Sequence, residues 1–513
     1  MNLTMLLDMA TDGFGDRVVL GRKEDGFTPE RLRSVAGGGA GLVRAAGADS
    51  IVYLGVNGPA FPVALFAAAI AGVPLVPVNY RLGTEQLDSL LANHPRALGI
   101  ADPGQEEALK RAGLSVFTPE QWISEATNAA LSGPTVDADD AEADLEVPAV
   151  LIYTSGTTSA PKGVVLKHQN LTAYVLGTVE FAGASDDEAS LMSVPPYHIA
   201  AVSNVLTNLY AGRRLLTLPH FAPQAWVQLV RDQGVTNAML VPTMLARIMD
   251  APDLDISVPD LRAVAYGGAQ MPPRVIEAAL KEWEHVEFAN AYGLTETSST
   301  ISVLGPDEHR AAIASDDPDV RRRLRSAGKP IPGVDIEIRD ANGQPVPTGT
   351  PGRVWVFGEQ VSGQYAGRQS AVDDRGYFDT RDQGWLDAEG YLYLEGRVDD
   401  TIIRGGENIS PAEIEDVLLR HPSVADAVVV GVPDDEWGQR IEAVVVAHSG
   451  GEVDTEKLRA DVRATLRGSK TPDRITCWSE LPRTDLGKLV RRDIVATLAG
   501  EETQAKAIQG QRA

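Results

Sequence analysis

The sequence predicts an α/β protein: a large N-terminal domain of layered α/β subdomains with a β-barrel-like part, followed by a small, mobile α+β C-terminal domain. Its 513 residues exceed what one ordinary hydrophobic core accommodates, so two or more domains are expected. Short apolar, β-branched runs alternate with Ala/Leu-rich helical patterns through the first three-quarters of the chain, which favours parallel α/β layers. Near residue 335 the pattern changes to alternating strands joined by tight turns.

The predicted strands of the large domain are short apolar runs. They lie at residues 50–54, 74–78, 150–153, 214–218 and 238–241. The most apolar window, 61–78, contains prolines and a glycine, so its alanine-rich part predicts a buried helix leading into a strand rather than a membrane span. Residues 131–146 are acidic, small and irregular, which predicts a surface loop between two layers.

The last quarter of the chain predicts the barrel-like part and the small domain. Strands are expected at 334–339, 352–357, 424–432 and 441–447, and helices at 411–420 and 455–466. The polar residues after 498 predict a frayed tail. The expected domains are therefore a large domain at 1–396, a hinge at 397–400, a small domain at 401–500 and a polar tail at 501–513.

Composition limits the classes of function. A net charge of −25 repels phosphate backbones and anionic lipid, so neither nucleic acid nor a membrane surface is an expected partner. The single cysteine, Cys477, cannot form an intrachain disulfide, and its apolar neighbours predict a buried packing role. The first residues lack a basic segment before their apolar run, so a signal peptide is not expected and a cytoplasmic protein is.

The strongest functional signal follows the strand predicted at 150–153. Residues 153–163 read Tyr-Thr-Ser-Gly-Thr-Thr-Ser-Ala-Pro-Lys-Gly, a loop whose hydroxyls, backbone N–H groups and lysine can surround a phosphate. The pattern is not a Walker A motif, because no Gly-Lys-Ser/Thr triplet closes it. The candidate nucleotide-binding residues here are Thr154, Ser155, Gly156, Thr157, Thr158 and Lys162. The preceding strand and the closing Pro-Lys-Gly make a mere flexible linker a poor alternative.

This stretch resembles the phosphate loop of the adenylate-forming superfamily, which contains acyl- and aryl-CoA synthetases, luciferases and the adenylation domains of peptide synthetases. Ser159 stands where the family usually has glycine, and a modest effect on loop flexibility is expected. Further motifs follow in the family's order between about residues 150 and 490.

Residues 195–198, Pro-Pro-Tyr-His, resemble the family's aromatic gate, and the resemblance places His198 between the ATP site and the acid pocket. It implies an acid pocket formed by His198, Ile199, Ala200 and Gly267. Relatives that activate amino acids carry an aspartate in the stretch after the gate, whereas residues 199–202 of this chain, Ile-Ala-Ala-Val, contain no acidic residue, so a free amino acid is disfavoured. Small side chains leave volume for an aliphatic or aromatic body.

Residues 267–269 and 290–296 resemble the adenine-binding strand and the acidic turn of the family. The resemblance assigns Gly268, Asn290, Ala291 and Tyr292 to the nucleotide, and a planar tyrosine can stack on a base. Thr295 can donate to a phosphate, and Glu296 supplies the hard oxygen ligand that Mg²⁺ requires.

Residues 377–385 and 396–403 resemble the ribose-binding and hinge segments. The resemblance implies that Asp382 accepts from both ribose hydroxyls, that Arg397 contacts the ribose or phosphates, and that the small domain swivels at Asp399. Arg381 occupies the place of the usual glycine.

The segment around Lys488 resembles the one whose lysine enters the active site during adenylation. Carboxylate attack on the α-phosphate brings anions together, and an ammonium delivered on closure stabilises that arrangement. For the second half-reaction, Gly405 and Gly406 resemble the segment along pantetheine, and Trp437 is equally a CoA contact or a core residue. Lys470 is the lone basic residue of the stretch where the family usually places CoA phosphate contacts.

The resemblance implies an AMP-forming carboxylic acid:CoA ligase that uses ATP, Mg²⁺ and coenzyme A on a fatty or aromatic acid. Three alternatives remain open: a ligase that loads a carrier protein, a luciferase-like oxygenase, and a non-catalytic nucleotide-binding relative. A homodimer is compatible with the sequence without being predicted by it.

Overall fold

The computed structural model describes residues 2–132, 146–154, 162–397, 400–404, 407–434, 437–448, 451, 453–466, 468–484 and 487–510. The chain divides into two compact units. The first comprises Met1–Gly267, Pro273–Ile336 and Val356–Phe378, and the second comprises Gly268–Pro272, Glu337–Trp355 and Asp379–Ala513.

The described helices of the first unit are α1 (Thr4–Phe14), α2 (Pro29–Ala45), α3 (Ala60–Ala71), α4 (Thr84–Leu91), α5 (Glu106–Arg111), α6 (Pro119–Ser132), α7 (His168–Thr178), α8 (Ile199–Ala211), α9 (Pro223–Asp232), α10 (Pro242–Met249), α11 (Pro273–Glu282), α12 (Pro306–Ala314) and α13 (Pro318–Arg322). The strands are β1 (Ser50–Leu54), β2 (Leu75–Pro77), β3 (Ala97–Ala101), β4 (Ser115–Phe117), β5 (Pro148–Thr154), β6 (Lys162–Lys167), β7 (Ala189–Met192), β8 (Arg214–Thr217), β9 (Asn237–Leu240), β10 (Ala263–Gly267), β11 (Glu287–Leu294), β12 (Ser299–Leu304) and β13 (Lys329–Pro330).

Two largely parallel sheets organise the first unit. Their strand orders are β4-β3-β1-β2-β5-β6 and β13-β12-β11-β10-β9-β7-β8. Strands β1 to β5 pair in parallel, as do β7 to β11, and antiparallel β6 and β12 extend each sheet. The predicted α/β layers are confirmed, with β1 at its predicted bounds and the other predicted strands within a few residues of theirs.

Helix α3 accounts for the apolar window of the sequence. Its residues from Ala60 to Ile70 are buried, and the chain then enters β2, as predicted. A helix that is apolar all round is stable only when every face is covered. In the part of the chain that the structure describes, no helix has the length and apolarity needed to cross a membrane.

The second unit contains a four-stranded sheet and an α+β part. The strands that lie wholly or mostly in it are β14 (Asp335–Arg339), β15 (Gly352–Phe357), β16 (Phe378–Leu386), β17 (Leu392–Arg397), β18 (Ile402–Arg404), β19 (Glu407–Ile409), β20 (Val424–Asp434), β21 (Gly438–Ala447) and β22 (Arg474–Trp478). Its described helices are α14 (Pro411–Leu419), α15 (Thr455–Thr465) and α16 (Arg491–Gly510).

The sheet β20-β21-β22 carries hydrophobic clusters on both faces because successive side chains of a strand point in opposite directions. One cluster contains Val429 with Ile414 and Leu458, and the other contains Val430 with Leu498. Helices α14 and α15 therefore cover one face and α16 the other. This arrangement confirms the predicted α+β character.

Two sequence predictions in this unit are wrong. Cys477 is exposed rather than buried, because β22 is an edge strand with a single neighbour. The polar residues after 498 continue helix α16 to Gly510 instead of fraying, in keeping with their richness in Glu, Gln, Ala and Lys, which are strong helix formers. The predicted hinge stays a prediction, since Val398 and Asp399 lie outside the described residues.

Candidate functional site

The phosphate-loop motif joins two antiparallel strands. Thr154 ends β5, and its partner in the register is Lys162, the first residue of β6. The predicted Ser155, Gly156, Thr157 and Thr158 lie outside the described residues, as does Ser159. The described ends of the motif are thus held side by side at the edge of the first sheet.

Lys162 and Glu296 both contact a third residue, Tyr365. The Lys162 ammonium nitrogen lies 5.8 Å from the centre of the Tyr365 ring, within cation–π range. The Tyr365 hydroxyl donates to Oε1 of Glu296 over 2.9 Å. A predicted nucleotide-binding residue and the predicted Mg²⁺ ligand, which are distant in sequence, therefore share one neighbour.

Backbone hydrogen bonds fix Tyr365 in this place. The N–H of Val165 on β6 donates to the carbonyl of Gln364, and the N–H of Ala366 donates to the carbonyl of Gly163 (2.9 and 2.8 Å). The N–H of Ser362 donates to the Glu296 carbonyl over 2.9 Å. Residues 362–366 thus connect β6 to the acidic turn. Sequence analysis missed them because their pattern is neither alternating nor helical.

The acidic turn is tightly built. Gly293 is required because a Cβ there would lie 1.7 Å from the Ser299 carbonyl oxygen. The Thr297 hydroxyl accepts from the Leu294 N–H and donates to the Ser299 carbonyl, at 3.0 and 2.8 Å. Between them, Thr295 and Glu296 lie half-buried in a short 3₁₀ turn.

The buried Gln360 supports the same turn from the next segment. Its side-chain amide donates to the backbone carbonyls of Thr297 and Thr300, at 2.9 and 2.7 Å. Its backbone carbonyl accepts from the Ser298 hydroxyl. Three hydrogen bonds from this one residue therefore hold the turn that carries Glu296.

The neighbouring residues of β11 have different surroundings. The Asn290 side chain donates to the Ser326 carbonyl over 2.9 Å, so this amide supports the adjacent loop. Tyr292 is half-buried, and Ala291 lines a cavity.

The gate segment precedes α8, and His198 is that helix's N-cap residue. The His198 and Tyr197 rings lie 4.4 Å apart, and Tyr80 packs edge-on against Tyr197. Burial raises the pKa of the Tyr197 phenol above its usual range. The buried Asn57, which sequence analysis missed, donates to the Val194 carbonyl over 2.9 Å and so anchors the start of the gate.

None of the four predicted acid-pocket residues lines the cavity of about 240 Å³ beneath α8, which is lined on that helix by Ser203, Asn204, Thr207 and Asn208. Ile199 and Ala200 are in the first turn of that helix, and Gly267 ends β10. A Cβ at Gly267 would lie 2.2 Å from the Ala291 carbonyl oxygen, so this glycine permits the close pairing of β10 and β11. Gly268, exposed with a φ of 85°, belongs to the second unit.

In the second unit, Asp382 and Arg397 are register partners on β16 and β17. Their side chains approach to 3.6 Å, with that of Asp382 largely buried. The buried Thr380 hydroxyl accepts from the Asp382 N–H over 3.1 Å. Arg381 has a φ of 61°, the left-handed conformation that glycine adopts without strain, which explains why the family's usual residue is glycine here.

Lys488 lies exposed on a tight hairpin. Thr484 and Lys488 bond to each other across the turn, and Gly487 takes a φ of 75°. Arg483 donates both to the Gly487 carbonyl and, through a bidentate pair at 2.7–2.8 Å, to the Asp426 carboxylate. The hairpin is thus attached to strand β20 of the second unit.

The predicted CoA segment is described in part. Gly405 and Gly406 lie outside the described residues, but the neighbouring Arg404 places its guanidinium 5.3 Å from the Trp437 ring centre. Trp437 is 44% exposed, so the alternative of a core residue is wrong. Lys470 is paired with Glu413, and burial together with that carboxylate raises the pKa of Glu395.

A magnesium ion brought by a nucleotide fits this donor set. Within the described residues, no group of three or more His, Cys, Asp or Glu side chains could hold a metal. Protein-bound Mg²⁺ usually takes one or two carboxylates and fills its other positions with phosphate oxygens and water. Glu296, with Oε1 bonded to Tyr365, can offer Oε2 to such an ion.

The comparisons with known proteins define the class. Residues 32–366 match the family model described as AMP-binding enzyme, and residues 413–488 match that of the AMP-binding enzyme C-terminal domain. The chain therefore belongs to the AMP-binding enzymes of the adenylate-forming superfamily, which confirms the resemblance of its motifs.

Individual relatives cover nearly the whole chain. It is 35% identical over 481 residues to a feruloyl-CoA synthase of an Amycolatopsis species, which spans 91% of this chain and 92% of that protein. It is 32% identical over 489 residues to the fatty acid–[acyl-carrier-protein] ligase ScoC of Streptomyces coeruleorubidus, with 91% of each covered. The solved o-succinylbenzoate coenzyme A synthetase of Bacillus subtilis, in complex with ATP and magnesium ion, is similar with a TM-score of 0.79 at 26% identity, covering 95% and 98% of the two chains.

Proposed function

We propose that this protein is an ATP-dependent carboxylic acid:CoA ligase, which forms acyl-AMP and pyrophosphate and then acyl-CoA and AMP. The observation that carries the proposal is that Lys162, the lysine of the phosphate-loop motif, and the Glu296 carboxylate both contact Tyr365. Membership of the AMP-binding enzymes supports the same chemistry.

In the first half-reaction, Thr154, Lys162 and the loop between them bind the phosphates of ATP. Thr295 donates to a phosphate oxygen, Tyr292 stacks on adenine beside Asn290, Ala291 and Gly268, and Asp382 accepts from the ribose hydroxyls next to Arg397. Glu296 holds Mg²⁺, which when bound neutralises phosphate charge. The acid carboxylate, guided by His198, attacks the α-phosphorus, and pyrophosphate leaves.

Lys488 stabilises the charge that builds on the phosphoryl oxygens during this attack. Its exposure on a braced hairpin of the small unit suits a group that is delivered for one step and then withdrawn. We place the pivot for that withdrawal at Asp399.

In the second half-reaction, Gly405 and Gly406 allow the pantetheine arm to pass, and the CoA thiol attacks the acyl carbonyl with AMP as the leaving group. The exposed Trp437, with Arg404 beside its ring, offers a surface for the CoA nucleotide. Lys470 contributes less, because Glu413 already neutralises it. ATP and CoA as substrates suit a cytoplasmic enzyme.

The relative that loads an acyl carrier protein favours a second candidate, transfer to a carrier-protein thiol. Both candidates share the adenylate, so they are separated by the acceptor alone. Thioester formation on CoA, detected by mass spectrometry with stoichiometric AMP, supports the first candidate. Thioester formation on a phosphopantetheinylated carrier protein with none on CoA supports the second.

The adenylation step has its own test. We expect acid-dependent exchange of labelled pyrophosphate into ATP, and transfer of one labelled oxygen from the acid carboxylate to AMP. Release of ADP, or AMP free of the label, would contradict attack on the α-phosphorus.

A further inference from the structure

Tyr153 stands where strand β5 enters the phosphate-loop motif. The register pairs it with Gly163 of β6, and the next residue, Thr154, with Lys162. On the other side of β5, the register with β2 stops at Val150. The end of β5 is therefore paired in register on one side only, so side chains must contribute to the position from which the phosphate-loop motif starts.

A histidine supports the Tyr153 side chain from another part of the first unit. Nε2 of His94 lies 2.9 Å from the Tyr153 hydroxyl, and the two rings meet edge-on with their centres 5.8 Å apart. His94 lies in the turn between α4 and β3, where its N–H donates to the Leu91 carbonyl and its carbonyl accepts from the Ala97 N–H. Because the histidine is also buried, its ring offers the phenol a partner in a fixed place.

The Tyr153 ring also lies against the strand that follows the phosphate-loop motif. A Cβ at Gly163 would lie 3.4 Å from Cε1 and Cζ of that ring, so the ring covers the side of Gly163 where a side chain would start. The Gly163 carbonyl accepts from the backbone of the segment that carries Tyr365. Contacts therefore run without a break from His94 through Tyr153 to the strand that begins with Lys162.

The hydrogen bond between His94 and Tyr153 joins two neutral groups. Burial lowers the pKa of His94, although the Asp49 carboxylate opposes that shift, and burial raises the pKa of the Tyr153 phenol. A neutral imidazole has one nitrogen that donates and one that accepts, so it can bond to a phenol in either tautomer. Loss of either partner would leave the other, which is partly withdrawn from water, without this bond.

A second tyrosine–histidine pair of the first unit shows how such a pair looks inside the core. The Tyr266 hydroxyl and Nε2 of His309 lie 2.8 Å apart, and the rings meet edge-on with their centres 5.7 Å apart. Both residues are completely buried, and Nδ1 of His309 donates to the Gly305 carbonyl. Tyr153, in contrast, is half-buried, so a shift of its side chain moves the strand end that leads into the phosphate-loop motif.

We propose that His94 is a positioning residue for ATP, because it holds Tyr153 and thereby the end of β5 from which the phosphate-loop motif begins. This inference rests on the proposed ligase function and adds to it a residue that lies outside the motif. His94 acts through Tyr153 and Thr154, so its removal should weaken the binding of ATP rather than the chemical step.

The test measures pyrophosphate exchange with the best substrate from a panel of aromatic and fatty acids that includes cinnamate and octanoate. His94→Leu removes the imidazole, and Tyr153→Phe removes the hydroxyl but keeps the ring on Gly163. We expect each variant to raise KM for ATP about 5- to 10-fold, the size of one hydrogen bond. KM for the acid and kcat should stay within about twofold.

Two further variants separate the hydrogen bond from general packing. The double variant of His94→Leu and Tyr153→Phe should be no worse than either single one, since both changes remove the same bond. His94→Gln, whose amide can bond to the phenol, should bring KM for ATP back to within about twofold of the wild-type value. Tyr53→Phe is the matched control, because it removes a buried phenol of the same sheet that bonds to the Val56 carbonyl, and it should leave KM for ATP unchanged.

The outcomes separate the role of His94 from the function beneath it. An unchanged KM for ATP in both His94→Leu and Tyr153→Phe overturns that role, as does an equal rise of KM for ATP and for the acid. Both results leave the ligase function standing, whereas a wild-type protein that exchanges pyrophosphate with no acid of the panel contradicts the ligase function itself. If His94→Leu does not fold, as judged by circular dichroism, Tyr153→Phe decides.

Discussion

Each unit of the molecule contains a charged residue of the candidate site, and the two residues differ in how they are exposed and supported. In the first, Glu296 lies in a turn braced by Gln360, Tyr365 and the backbone of Ser362. In the second, Lys488 lies exposed on a hairpin attached through Arg483 to Asp426. In the proposed function Glu296 holds a cation and needs a fixed position, whereas Lys488 acts in one half-reaction only and lies on the other unit.

The largest expected effect tests the second unit. Lys488→Ala should lower acid-dependent pyrophosphate exchange by about 10²- to 10³-fold, because it removes charge stabilisation in the adenylation transition state. Formation of acyl-CoA from supplied acyl-adenylate should stay within about threefold, since that step does not use the lysine. Lys457→Ala, at an exposed lysine of α15, is the control. Equal loss in both steps would break the contrast between the units.

Acidification should destabilise the first unit through His168. Burial lowers the pKa of this histidine to about 4, and its Nδ1 accepts from the Leu3 N–H, which requires the neutral ring. The unfolded chain binds a proton at its ordinary pKa, so the contribution is complete above about pH 6.5 and falls as the pH drops towards 4.

At pH 5 this linkage amounts to about 2 kcal/mol of the unfolding free energy. Urea unfolding of the wild-type protein at pH 7.5 and pH 5 measures it, and His168→Gln should show a smaller difference between the two pH values. An unchanged difference in the variant would assign the acid sensitivity to other groups.

Removal of the Tyr365 hydroxyl tests whether the fixed position of Glu296 affects the use of ATP and Mg²⁺. Tyr365→Phe keeps the ring next to Lys162 but removes the donor to Glu296. We expect kcat/KM for ATP to fall about 10-fold and half-saturation by Mg²⁺ to rise, which corresponds to the loss of one hydrogen bond to a charged group. Tyr377→Phe, which removes the phenol bonded to Asp335, should change neither quantity. Unaltered magnesium dependence in Tyr365→Phe would mean that the turn is fixed without this bond.

The smallest expected effect concerns Arg381. Its φ of 61° is strained for a residue with a Cβ, so Arg381→Gly should raise the free energy of unfolding by about 1 kcal/mol. Pyrophosphate exchange should stay within about twofold, because the Asp382 carboxylate is unchanged. Arg375→Gly, at a residue with an ordinary φ, should not stabilise the protein. Chemical unfolding of the three proteins measures the difference.

Local patterns were enough for much of the fold. The alternation at 352–357 coincides with β15, and the alanine-rich window became the buried α3. Residue-level burial was harder to predict. Cys477 has apolar neighbours yet lies exposed on an edge strand, and Trp437, equally compatible with a core, is exposed beside Arg404.

Residues of the candidate site likewise differ in whether the sequence could predict them. The hydroxyl-rich loop, Glu296, Asp382 and Lys488 were predicted from motifs, because each occupies a short contiguous segment. Tyr365, Gln360 and Asn57 were missed, because each acts on a segment far away in the chain. Gly267 was predicted to provide pocket volume, whereas the pairing of β10 with β11 requires it.

By itself the sequence determined the class of chemistry and the order of the elements, since hydroxyls, charges and periodicity are properties of neighbouring residues. The tertiary structure alone decided that Tyr365 contacts both Lys162 and Glu296, and that alanines from β10 and β11 face Asn204 across a cavity. Such contacts depend on strand register and on how far a helix stands from its sheet. Both follow from packing of the whole core, which no short stretch of sequence encodes.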